Sequence, residues 1–200
     1  MVNRHHIRPA FAGGFHDDRG GFMNTDEAIR QRASVRSYGS AKVGDAVVRE
    51  LIELATQAPS AGNTEEWVFV VVKDLKARQA IGDACFGRTF IASAPVIVVV
   101  CADMDRIEKA YGERGVSLYA AQDTAAAVEN FMLAATDRGL ATCWIGAFNE
   151  QAVRNAVALP NNIRPMAMIT LGYANEKPRK PARKPVSDVA FSEMYGKPFK

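Results

Sequence analysis

Helical and strand-like spacings of apolar residues take turns along this chain. Asn24 or Thr25 can cap a short helix running through Ile29 to about Ala33, with Asp26 and Glu27 in its first turn. Side-chain oxygens there satisfy free amides, and carboxylates suit the positive end of the helix. Ser37 to Lys42 reads as a turn. Gly44 and Asp45 open a second helix, with Val47, Val48, Leu51, Ile52 and Ala55 on one face at helical spacing, and Pro59 stops it. Trp67 to Val72 is an unbroken aromatic and β-branched run, expected as a buried strand.

Asp74 to about Cys85 predicts another helix, and Pro95 to Cys101 a strongly apolar strand. Ala121 to Arg138 predicts a long helix closed by Gly139. Its many alanines let a neighbouring helix come close, so it reads as a central or interface helix. Leu140 to Ile145 is a short strand, Glu150 to Ala158 a helix ended by Pro160, and Pro165 to Tyr173 a last strand. A basic, proline-rich tail follows. Asp103 to Tyr119 mixes charge, glycine and aromatic residues without one period, and is a candidate lid. Helices interleaved with strands place the chain in the mixed α and β class.

The length of 200 residues, 48% hydrophobic and 24% charged, suits one globular domain with a full core. The net charge of +3 is too small to imply nucleic acid. The longest apolar run, Ala94 to Ala102, stops far short of the roughly 20 residues that span a bilayer. Residues 1–22 hold no apolar core of signal-peptide type. They read as a flexible extension, and the domain as 23–200. Lys177, Arg179, Lys180, Arg183 and Lys184 form a basic run that ordinarily reads as a solvated tail.

Cys85, Cys101 and Cys143 are odd in number and far apart, so no disulfide framework is expected and a reducing, cytoplasmic setting fits. Cys101 and Cys143 lie in apolar elements and read as core. His5, His6 and His16 all fall in the extension. No metal site and no Ser/His/Asp machinery is therefore expected in the domain. Neither Gly-x-Gly-x-x-Gly nor Gly-x-x-x-x-Gly-Lys occurs, which disfavours the common phosphate-loop folds.

Two segments stand out. Arg32-Ala33-Ser34-Val35-Arg36 puts two guanidinium forks and a hydroxyl within a few residues, a donor set suited to phosphate. Pro59-Ser60-Ala61-Gly62-Asn63 is an uncharged polar loop between an amphipathic and an apolar stretch. Locally, the first also reads as a solvated helix end and the second as an ordinary turn. A phosphate site without acid–base residues points to a cofactor that carries the chemistry.

The ordered set of segments resembles the FMN-dependent nitroreductase family over roughly residues 24 to 190. The resemblance rests on Arg32 to Arg36, on Ala58 to Asn63 followed by Trp67, and on Ala94-Pro95. It extends through Asp123 to Ala135, Gly139 to Gly146, Leu159-Pro160, Leu171-Gly172-Tyr173 and Arg183-Lys184-Pro185. It implies an α+β sandwich whose central, mainly antiparallel sheet is flanked by helices, with a C-terminal strand exchanged in a homodimer. It implies FMN as cofactor, with Arg32, Ala33, Ser34, Arg36 and Arg183 at its phosphate and ribityl end. Pro59, Ser60, Ala61 and Asn63 would lie along the flavin ring, commonly from the other subunit, and Trp144, Ile145 and Gly146 over it. No side chain would be catalytic.

The implied activity is ping-pong hydride transfer, from NADH or NADPH to the flavin and on to nitroaromatics, quinones or similar electron-poor acceptors. A specialised relative, such as a reductive dehalogenase, is a second reading; a flavin-binding protein for storage or redox sensing is a third. The chain departs from the family where a second basic residue is common, at Ala33, and where Gln-Pro is common, at Glu65-Glu66.

Overall fold

The computed structural model describes residues 23–199. The expected extension and its histidines lie outside the described residues. The sheet holds β1 (Trp67–Val72), β2 (Val96–Asp103), β3 (Ala141–Ile145) and β4 (Ile163–Gly172) in the order β1-β2-β4-β3, every pair antiparallel. The helices are α1 (Thr25–Gln31), α2 (Asp45–Ala55), α3 (Leu75–Ala84), α4 (Thr89–Ser93), α5 (Met104–Arg114), α6 (Ala120–Asp137) and α7 (Glu150–Ala156). The architecture is the α+β sandwich expected from the sequence.

β2 lies inside the sheet, and Val96 to Ala102 are buried throughout. Val96, Val98 and Val100 face Leu51 and Ala55 of α2 and Val128 and Phe131 of α6. Ile97, Val99 and Cys101 face the other layer, with Ile81 of α3, Ile91 of α4 and Val153 of α7. A strand covered on both faces has no polar side to show, hence the unbroken apolar run. The three thiols are free and buried; burial pushes Cys85 up to about 11 and Cys101 up to about 12, as expected of core residues.

Three segments differ from the sequence pattern. α1 stops at Gln31, because Arg32 has left helical geometry (φ −52°, ψ 126°). Thr89–Ser93 is helical although five residues are too few to show a period. The candidate lid is helix α5, capped by the Asp103 side chain, broken at Gly112 (φ 55°, ψ −144°) and joined to α6 by a π turn over Gly115–Tyr119. A glycine break followed by a wider turn shifts the hydrophobic phase, which hides the helix from a 3.6-residue reading.

Gly172, in the Leu171-Gly172-Tyr173 segment, sits where a Cβ would come within 2.6 Å of Pro95 Cδ and 2.9 Å of Tyr38 Cδ1. Both atoms belong to rings that cannot swing aside. Gly172→Ala is expected to destabilise the protein by about 1–3 kcal/mol, the usual cost of overpacking. Urea unfolding would show a lower midpoint at unchanged slope; an unchanged midpoint would mean that the backbone yields freely there.

Candidate functional site

Where α1 ends, the chain runs extended beside the outer edge of β3. The Val35 amide donates to the Thr142 carbonyl at 3.0 Å, and Ser34 forms a parallel bridge with Thr142. Val35 is buried, so alternation turns Ser34 and Arg36 the other way. The Tyr38 hydroxyl donates to the Val35 carbonyl at 2.7 Å and lies 2.6 Å from Thr170 Oγ1. Burial raises its pKa well above the ordinary range, so it stays a neutral donor that fixes the segment.

The chain after β4 returns to the same place. The Gly39 amide donates to the Tyr173 carbonyl and the Asn175 amide to the Ser37 carbonyl, both at 2.9 Å. The Arg36 amide donates to Glu176 Oε1 at 2.6 Å. These bonds lay the basic tail across the arginine segment and enclose a cavity of about 930 Å³, within the usual range for ligand sites. Arg32, Ala33, Ser34, Arg36 and Arg183 all line it. Arg30, Lys177, Arg179 and Lys180 line it too, against a single acid among the described residues, Glu176. The basic run expected as a solvated tail is thus part of the wall. The charge pattern was visible in the sequence, but not the fold-back that puts it to use.

Arg32 Nε lies 3.4 Å from Glu129 Oε1 of α6, which holds the guanidinium half-buried. No ion pair among the described residues engages Arg36 or Arg183. Like charges gathered with few counter-charges repel, and a bound anion removes that cost. The donor set therefore fits the phosphate end of FMN. The arginine segment also stands beside β3: Ser34, Arg32 and Arg36 all act on the Cys143 thiol, whose pKa burial nonetheless raises. The next residue, Trp144, is 38% exposed, Ile145 is buried, and Gly146 is exposed.

The Pro59 to Asn63 loop does not line this cavity within one chain. Its Ala61 amide donates to Asp123 Oδ2 of α6 at 2.8 Å, and Asn63 Nδ2 donates to Glu65 Oε1 at 2.8 Å. Asp123 and Glu129 both belong to α6, six residues or roughly 9 Å of helix apart. Glu65 is exposed, whereas Glu66 is buried to 1% exposure. Among the described residues no cluster of His, Cys, Asp and Glu could hold a metal ion. None of their helices is long and apolar enough to cross a membrane.

The sequence profile of the Nitroreductase family matches residues 29–91 and 86–173. The chain belongs to the nitroreductase family. An Archaeoglobus fulgidus relative, assigned by name to NADH dehydrogenase/NAD(P)H nitroreductase, is 31% identical over 74% of this chain and 84% of its own. The FMN reductase (NAD(P)H) of Bacillus subtilis is 27% identical over 84% of this chain and 73% of its own. Among solved structures, a nitroreductase family protein from Streptococcus pneumoniae superposes with a TM-score of 0.78 at 27% identity, over 85% of this chain and 100% of that one. Bacillus megaterium NfrA2 reaches 0.81 at 24% identity, over 87% and 76% of the two chains, a likeness of fold. The nitroreductase fold thus accounts for the layered α+β arrangement around the arginine cavity.

Proposed function

We propose that this nitroreductase-family protein is a homodimeric oxidoreductase that passes electrons from NADH or NADPH to nitroaromatics, quinones or similar electron-poor acceptors. Its family makes it an NAD(P)H-dependent oxidoreductase with FMN as cofactor. The observation that carries the cofactor assignment is the cavity where Arg32, Ser34, Arg36 and Arg183 meet with little acidic compensation. When bound, FMN supplies the chemistry, by accepting a hydride from the nicotinamide and yielding electrons to the acceptor.

This chain's share is binding and positioning. Arg32, Arg36 and Arg183 hold the phosphate dianion, and Ser34 adds a neutral donor near the ribityl chain. The Arg32–Glu129 contact fixes one fork in place before any ligand arrives, which lowers the ordering cost of binding. Trp144, on the exposed side of β3, offers an apolar wall, and Gly146 leaves room beside it. Pro59, Ser60, Ala61 and Asn63 line the ring from the other subunit; that they do not line the arginine cavity within one chain supports that placement. The domain comprises residues 23–200, with its C-terminal segment exchanged between subunits. Three free, buried thiols support a reducing, cytoplasmic setting.

The experiment is steady-state turnover with NADH or NADPH and a nitroaromatic or quinone in the absence of oxygen. Parallel double-reciprocal lines are expected, the pattern of a ping-pong exchange. Nicotinamide oxidation that stops at about one equivalent per flavin despite added acceptor would support a storage or sensing protein instead.

A further inference from the structure

Glu66, just before β1, stands where the family commonly has proline, and it is buried. Its surroundings are short of protons. The Thr64 hydroxyl lies 2.9 Å from the Ala61 carbonyl oxygen and 2.7 Å from Glu66 Oε2. One hydroxyl carries one proton, so it cannot donate fully to both acceptors. Glu66 Oε1 is buried with no hydrogen-bond partner among the described residues. Asp123, 8% exposed at the start of α6, faces the pair and accepts the Ala61 amide. Two ionised carboxyls here would leave an acceptor against an acceptor and two like charges out of water.

We propose that Glu66 is held as the neutral acid, and that its proton completes a network through Thr64, Ala61 and Asp123 that fixes the shape of the 60–65 loop. The loop needs such ties. Gly62 (φ 53°), Asn63 (φ 57°) and Glu65 (φ 48°) all take left-handed geometry, which non-glycine residues hold only when neighbours impose it. Further ties include the Glu65 amide to Ser60 Oγ at 3.1 Å, Asn63 Nδ2 to Glu65 Oε1 at 2.8 Å, the Asn63 amide to the Ser60 carbonyl and the Thr64 amide to the Ala61 carbonyl, both at 3.1 Å, and the Asp103 amide to the Glu66 carbonyl at 2.7 Å. Glu66 is thus a positioning residue, acting through the loop.

Burial first, and then Asp123, push the Glu66 carboxyl above the ordinary glutamate range, against the opposing pull of the Thr64 hydroxyl and of the Glu66 backbone amide. Of the other groups nearby, Asp103 is turned to the Arg106 amide and Asn162, and Tyr111 of α5 stands over Gly62. The sign follows from the raised value. The tie is intact below the ordinary glutamate pKa and is lost as pH rises through the higher folded-state value. The link to activity rests on the proposed placement of this loop along the flavin ring.

The test is an infrared titration of the full-length protein, with hydrogen exchange of residues 60–66 beside it. A protonated-carboxyl band should titrate above the range of an ordinary glutamate and be absent in Glu66→Gln. In Asp123→Asn its midpoint should fall by about one pH unit or more, as expected when a like charge is removed. Loop protection, corrected for intrinsic exchange, should fall through the same midpoint in the native protein and stay flat in Glu66→Gln. A band that persists in Glu66→Gln, or equal pH dependence of loop exchange in both proteins, overturns the proposal. FMN affinity measured over the same pH range judges the other premise. If band and exchange behave as expected while affinity stays flat, the network stands and the loop does not meet the flavin.

Discussion

The triple variant Arg32→Ala/Arg36→Ala/Arg183→Ala is expected to purify without FMN. Each guanidinium offers hydrogen bonds to a charged oxygen, worth about 1.5–3 kcal/mol apiece. Arg36→Ala alone should therefore weaken FMN binding roughly ten- to hundredfold. Arg36 and Arg183 are the cleaner probes, since neither is ion-paired among the described residues, whereas removing Arg32 also releases Glu129. Riboflavin, which lacks the phosphate, gives the internal control. The native protein should prefer FMN strongly, and the triple variant should bind the two alike. Equilibrium titration followed by flavin fluorescence reads both. If all three single variants keep the native affinity, the phosphate lies elsewhere.

Deleting residues 187–200 is expected to cost both the dimer and the flavin. Val189 (59%), Met194 (68%), Tyr195 (93%) and Phe199 (58%) are exposed large apolar side chains gathered at one end of the chain. Among the described residues this segment bonds mainly to itself: the Val186–Asp188 turn, a bridge between Phe191 and Pro198, the Lys197–Glu193 ion pair, and the 4.7 Å contact of the Phe191 and Tyr195 rings. Such apolar area left in water marks an interaction surface. A second copy of the chain is the proposed occupant. Light scattering should give about twice 21.8 kDa for the intact protein, with an interface at or above the roughly 2,000 Å² of obligate pairs. The truncated chain should run as a monomer and lose its yellow colour. A flavin-loaded monomer contradicts the shared site.

The parts of this fold legible in the sequence are those that physics repeats along the chain. β2 announces itself because both of its faces are buried, and α2 because only one of its faces is. α5 escaped because Gly112 and the π turn break the period. The arginine segment was legible as donor chemistry, and its partner Arg183 only through family likeness. Arg30, Lys177, Arg179 and Lys180 were not legible as site residues, since nothing local says that the tail folds back through the Tyr173–Gly39 and Asn175–Ser37 bonds. Glu66 was hidden in another way. A charged residue ordinarily faces water, but this side chain turns inward to Thr64 and Asp123. Burial of an acid is set by contacts distant in sequence, so position 66 alone cannot reveal it.

Anaerobic titration of the purified yellow protein with NADH, and separately with NADPH, tests the central claim most directly. The flavin absorbance should bleach stoichiometrically with at least one of them, return on addition of a nitroaromatic or quinone, and belong to FMN on extraction. A protein that stays yellow through excess of both nicotinamides, or that releases no FMN, contradicts the account.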